Sequence, residues 1–212
     1  MDMITIENVN LTVKKAQILR DVSAAFERGK IHGLVGRNGS GKTMLMKCIC
    51  GFISPNSGVI TVDGKRVGKD VDFPTNMGLL IETPGFIPYY TGLRNLKLLA
   101  GLNCKASAEQ VRECMIAVGL PPERDKRVAK YSLGMRQRLG IAQAIMESPE
   151  LLILDEPMNG LDKQGLEDMR KLFSSLRDKS KTILLSSHNA EDIELLCDTV
   201  CEMDNGVLTV MK

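Results

Sequence analysis

From Ile4 to Leu11 the chain alternates apolar and polar positions, a period of two that predicts a strand with one buried face. Val22 to Phe26 predicts a second, shorter strand. Ile31-His32-Gly33-Leu34-Val35-Gly36 is apolar and runs into a glycine-rich turn, as a buried strand does, and Met44 to Ile49 continues as a helix. Gly58 to Gly64 and Met77 to Ile81 read as further strands. The pattern then changes. From about Thr91 to Glu147 it reads as successive helices, with Leu93, Leu96, Leu98, Leu99 and Leu102 forming one apolar stripe. Ser107 and Gln110 have the spacing of a capping box, and that helix should end near Gly119-Leu120-Pro121-Pro122. Residues 83–147 therefore predict a mostly helical lobe inserted in an α/β frame.

The α/β pattern returns at Leu151-Leu152-Ile153-Leu154-Asp155, whose apolar residues face both sides, as in a central parallel strand. A helix from Gln164 to Asp178, a strand from Thr182 to Leu185 and a short helix from Ala190 to Cys197 follow. Two final strands, Val200–Met203 and Val207–Val210, flank the hairpin signal Asp204-Asn205-Gly206. There are no repeats and no long linker, so residues 1–212 are read as one domain.

Composition narrows the function classes. With 43% hydrophobic and 25% charged residues the chain is an ordinary globular one. A net charge of +2 gives no reason to expect nucleic acid as a partner. The six cysteines, Cys48, Cys50, Cys104, Cys114, Cys197 and Cys201, have no zinc-ligand spacing and read as small buried hydrophobes. The start, Met1-Asp2-Met3-Ile4, lacks the basic-then-apolar pattern of a signal peptide, and no apolar run reaches the ~18 residues of a membrane span. The expected location is the cytoplasm, and any transport path must come from another polypeptide.

The chemistry-bearing pattern begins at Gly36-Arg37-Asn38-Gly39-Ser40-Gly41-Lys42-Thr43, which has the P-loop spacing between a strand and a helix. Glycines let backbone amides converge on an anion, and the helix N-terminus adds its positive dipole. Lys42 should reach the β- and γ-phosphates of a nucleotide and the Thr43 hydroxyl should ligate Mg²⁺. Asp155 ends the apolar strand where open α/β sheets place their ligands, and should hold Mg²⁺ through water. Glu156, next to it, is the natural general base for an attacking water.

Three further segments carry a family resemblance. Tyr131-Ser132-Leu133-Gly134-Met135-Arg136-Gln137-Arg138 resembles the signature motif of ABC ATPases, Pro157-Met158-Asn159-Gly160-Leu161-Asp162 is similar to their D-loop, and Ser186-Ser187-His188 falls where they carry a switch histidine. The order of elements matches over nearly the whole chain. The resemblance implies a P-loop NTPase core with a mixed sheet, an N-terminal antiparallel β part and a helical ABC-specific lobe. It also implies ATP hydrolysis by a head-to-tail pair of copies on the cytoplasmic face of a membrane, bound to a permease. Each ATP would lie between the P-loop of one copy and Ser132 and Gly134 of the other, with His188 touching the γ-phosphate and residues 82–95 receiving the permease. His32 is assigned no role. Repair and chromosome ABC ATPases carry long coiled coils, and the 89 residues between Lys42 and Ser132 are too few for one; translation types carry two cassettes.

Two departures bear on function. Glu82 stands where most members have Gln; it offers only acceptors and a full charge, and it too is a candidate Mg²⁺ ligand. Glu82 before Pro84, followed by Tyr89-Tyr90-Thr91-Gly92-Leu93, resembles the bacitracin and lantibiotic export and self-protection subset, which makes export the expected direction. Near Val13, where the family often stacks the adenine on an aromatic ring, there is none, and Lys14 and Lys15 follow. Binding energy should then come mainly from the phosphates. GTP is therefore expected to compete with ATP about equally in a displacement assay; a strong ATP preference would contradict this reading.

Overall fold

The structure is a computed structural model that describes residues 1–82, 84–103, 105–123 and 126–212. Thr83, at the start of the expected lobe, and Cys104 lie outside the described residues.

Two sheets sandwich the helix that follows the glycine-rich loop. The first is antiparallel, in the order β2-β1-β4-β5, from β1 (Asp2–Val13), β2 (Ala16–Glu27), β4 (Ser57–Val62) and β5 (Lys65–Arg66). The second has the order β10-β9-β3-β8-β7-β6, from β3 (Ile31–Val35), β6 (Met77–Leu80), β7 (Leu151–Leu154), β8 (Thr182–Ser186), β9 (Thr199–Asp204) and β10 (Val207–Val210). Its strands are parallel except for the β9–β10 hairpin. Helix α1 (Lys42–Ile49) lies between the sheets, burying Leu45, Met46 and Ile49.

The period of two in a doubly buried strand is visible in β7. Leu151 and Ile153 join the core around α1, whereas Leu152 and Leu154 join the core on the other face. That second core also holds Met169 and Phe173 of α5 (Lys163–Asp178) and Ile193 and Leu196 of α6 (Ala190–Leu196). Between β6 and β7 come α2 (Gly92–Asn103), α3 (Ala108–Ala117), a 3₁₀ turn (Val128–Lys130) and α4 (Leu133–Ile145). Leu96, Val111, Met115 and Leu139 pack them into the same core.

The capping box forms as expected: the Ser107 hydroxyl accepts from the Gln110 amide, and the Gln110 side chain accepts from the Ser107 amide. The expected stripe on α2 is corrected. Leu96 is fully buried, but Leu98 and Leu102 are 48% and 79% exposed. Lying one turn apart, they share a face that points away from the one Leu96 presents to the core. The β1–β2 connection holds another finding: Lys14 and Lys15 both have positive φ (47° and 71°), making a tight hairpin turn without the Asn-Gly that usually marks one.

Burial settles Cys48, Cys50, Cys197, Cys201 and His32, whereas Cys114 is only half-buried. Cys48, Cys50, Cys197 and Cys201 are buried, and desolvation pushes the Cys48 thiol up to about 11 and those of Cys50 and Cys197 up to about 12. These thiols stay protonated and act as small hydrophobes. His32 is 1% exposed, bonded to Thr199 Oγ1 (2.6 Å) and the Glu27 carbonyl (2.8 Å), with its ring edge-on to Phe26. Burial holds its pKa below the ordinary imidazole value. The unfolded chain therefore takes up a proton that the folded chain resists, so His32 favours folding at neutral pH and this contribution is lost as pH falls below about 6.5. Urea unfolding between about pH 7.5 and 5.5 should show falling stability, with a smaller slope in His32→Gln.

Candidate functional site

The residues singled out in the sequence converge at the C-terminal ends of β3, β7 and β8. Gly36 follows β3 with φ 143°, and a Cβ there would fall 2.1 Å from the Met203 carbonyl oxygen. No other residue can start the loop so close to the β9–β10 hairpin. Gly39 at φ 80° has open space where a Cβ would stand, so its requirement is purely conformational. Arg37, Asn38 and Gly39 are exposed, while Ser40, Gly41 and Lys42 are buried behind them. The loop is backed by the hairpin turn, where the Gly206 amide donates to the Ser40 carbonyl at 3.0 Å.

Lys42 curls over the loop and donates to the carbonyls of Gly36 (2.6 Å) and Arg37 (3.1 Å). Thr43, the second residue of α1, donates its hydroxyl to Asp155 Oδ2 at 2.7 Å. The other oxygen, Oδ1, accepts from the Ser186 hydroxyl at 2.6 Å. Glu156 Oε2 lies 2.8 Å from His188 Nδ1, and His188 is 63% exposed at the mouth of the site. Ser40 Oγ is buried with no hydrogen-bond partner among the described residues, a donor–acceptor available to a ligand in the loop.

A phosphate group and a hard divalent ion fit this donor set. Cradle glycines, the Lys42 ammonium and the N-terminus of α1 suit the phosphates. The Thr43 hydroxyl and Asp155 carboxylate offer adjacent oxygens to a cation. Among the described residues, no three carboxylate, imidazole or thiol groups gather into a cage, so the ion would depend on nucleotide and water oxygens as well.

Glu82 sits at the same end of the sheet, just past β6, but its carboxylate engages Lys47 at 2.5 Å and its side chain is 64% exposed. Lys47 lies one turn beyond Thr43 on α1. Ser132 caps α4, accepting from the Met135 amide at 3.2 Å, and is exposed; among the described residues its hydrogen bonds go to the first turn of that helix. Gly134 packs against the carbonyl of Gly160, where a Cβ would come within 2.9 Å. The structure thus brings together the P-loop, Asp155, Glu156 and His188, and leaves Ser132 exposed at the start of α4. Sequence reasoning did not single out Lys47, and it quoted Ser186 and Gln137 inside motifs without giving either a role. Only Ser186 carried a signal, as a hydroxyl at the tip of a strand adjacent to β7.

Residues 19–159 match the family described as ABC transporter. The chain belongs to that family. It is 41% identical over 96% of its length to the bacitracin transport ATP-binding protein BcrA of Enterococcus faecalis, of which it spans 67%. It is 34% identical over 99% of its length to the lantibiotic transport ATP-binding protein SrtF of Streptococcus pyogenes, of which it spans 90%. A dimeric structure of the ATP-binding cassette MJ0796 bound to ADP and Pi superposes with a TM-score of 0.89 at 21% identity, covering 99% of this chain and 98% of that one. The fold is that of an ABC ATPase cassette, with the mixed sheet, antiparallel sheet and helices that the sequence resemblance implied.

The unsatisfied Ser40 hydroxyl generates a test. Ser40→Ala should leave the nucleotide-free protein as stable as wild type or more so, since an unpaired buried polar atom costs about 1–3 kcal/mol. The same variant should lose part of the rise in Tm that ATP produces. Differential scanning calorimetry with and without ATP reads both.

Proposed function

We propose that residues 1–212 act as one cassette that hydrolyses ATP to drive a membrane exporter of a peptide antibiotic such as bacitracin. The observation that carries the hydrolytic reading is the pairing at one sheet edge of Thr43 with Asp155 (2.7 Å) and of Glu156 with His188 (2.8 Å). The similarity to BcrA and SrtF supports the cargo class.

In this reading Gly36 to Thr43 hold the phosphates, with Lys42 exchanging the Gly36 and Arg37 carbonyls for phosphate oxygens. Thr43 and Asp155 would hold Mg²⁺, which would supply charge neutralisation at the phosphates. Glu82, paired with Lys47, could join them only by leaving that pair. Glu156 takes a proton from the attacking water, and His188 steadies that carboxylate at Oε2 and meets the γ-phosphate. The exposed Ser132 and the small Gly134, at the N-terminus of α4, close over the nucleotide of a second copy in a head-to-tail dimer.

No helix among the described residues is long and apolar enough to cross a membrane. In this reading the exporter's path belongs to a permease on whose cytoplasmic side this chain docks. The contact extends past the expected stretch from Glu82 to Asn95. Phe73 (57% exposed) and Leu102 (79% exposed) line one groove, and the Phe52 ring lies 6.1 Å from that of Phe73. Such a cluster of exposed apolar side chains suits a permease helix.

Glu156→Gln should abolish steady-state ATP hydrolysis while an ATP-bound dimer accumulates on size-exclusion chromatography. A monomer with intact turnover would overturn both the base and the dimer.

A further inference from the structure

Glu156 is held in an unusual backbone conformation by two side chains that the hydrolytic reading does not use. Its φ is 48°, in the left-handed region that a non-glycine residue enters only when its surroundings impose it. Two side-chain clamps add to a backbone turn bond, in which the Asn159 amide donates to the Glu156 carbonyl at 3.2 Å. The Glu156 amide donates to Ser186 Oγ at 2.8 Å, and Ser186, fully buried at the end of β8, donates in turn to Asp155 Oδ1 at 2.6 Å. On the other side, Gln137 Nε2 donates to the Glu156 carbonyl at 2.8 Å.

The left-handed turn separates two consecutive carboxylates. Asp155 points to Thr43 and Ser186, while Glu156 points to His188. An extended or right-handed backbone at Glu156 would carry its side chain in another direction and break both clamping bonds. The Ser186 hydroxyl is saturated in a defined sense: its single proton goes to Asp155, so a lone pair is left for the Glu156 amide. Gln137 belongs to α4, the helix that Ser132 opens, five residues from that cap.

We infer that Ser186 and Gln137 are positioning residues for the Glu156 carboxylate, and that Gln137 ties its setting to the placement of α4. Ser186 fixes the peptide to the strand frame. Gln137 fixes it to the helical part, so that a shift of α4, as when Ser132 engages a nucleotide on a second copy, reaches the carboxylate of the same chain. This rests on the reading of Glu156 as the base.

The test uses the full chain with Gln137→Met, which keeps length and bulk but cannot donate, Ser186→Ala, which removes the hydroxyl, and Ser186→Thr, which keeps it. Three quantities are read: kcat, the dissociation constant of a fluorescent ATP analogue, and the ring ¹⁵N chemical shifts of His188. The chain has only two histidines, so His32→Gln assigns them. Gln137→Met and Ser186→Ala should each lower kcat about tenfold or more, as small misplacements of catalytic groups do, with nucleotide affinity within about twofold of wild type. Both should move the His188 signals toward those of Glu156→Ala, and Ser186→Thr should restore them. Unmoved His188 signals with unchanged kcat would overturn the clamp while leaving Glu156 as the base, provided Glu156→Gln is inactive. If Glu156→Gln turns over normally, the base assignment fails, and the His188 signals alone decide the clamp. Loss of nucleotide affinity in parallel with kcat would mark the two residues as structural and also overturn the inference.

Discussion

The Asp155 carboxylate is the constraint on which the site depends. Its two oxygens accept from hydroxyls on different elements, Thr43 on α1 and Ser186 on β8, while its amide donates to the Leu80 carbonyl of β6 at 2.6 Å. One residue thus ties together the loop that follows β3 and the ends of three strands. A charged acceptor with two hydroxyl donors is well satisfied in a partly buried place, where an unpaired carboxylate would be costly. The same bonds make the node responsive. In the proposed function, a cation held by Thr43 and Asp155 would compete for the oxygens that hold the node closed.

The glycine-rich loop has a comparable dependence on distant chain. Its first glycine lies under the Met203 carbonyl and its Ser40 carbonyl accepts from Gly206, so the C-terminal hairpin backs the cradle from behind. Asn205 and Gly206, both at positive φ, shape that hairpin. A loop whose amides must be free to bind an anion has few bonds of its own to hold it. Its order comes from the packing around it.

Charge is balanced locally rather than across the molecule. Lys47 meets Glu82, so the carboxylate that replaces the usual amide does not stand unpaired beside the phosphate site. An exposed pair of this kind adds little to folding stability. Its consequence is positional, since it holds Glu82 beside α1 one turn below Thr43.

The sequence by itself determined most of the strands, the order of elements and the residues of the phosphate loop, because each is written in local spacing; it read β2 only from Val22 and did not read β5. Apolar and polar alternation marks β1, a continuous apolar run marks β7, Ser107 and Gln110 announce their own cap, and Gly36 to Thr43 need no distant partner to be recognised. It also gave the adjacent pair Asp155 and Glu156. Only the tertiary structure decided what those carboxylates do with their oxygens. Thr43 and Asp155 are 112 positions apart, Glu156 and His188 are 32 apart, and no periodicity encodes which side chain closes on which. The outward face of Leu98 and Leu102, the left-handed turn at Glu156 with its bonds to Ser186 and Gln137, and the diversion of Glu82 to Lys47 are likewise decided by packing. The reason is physical. Spacing along a chain fixes the face on which a side chain emerges, whereas its hydrogen-bond partner depends on how separate elements are brought together across the sheet.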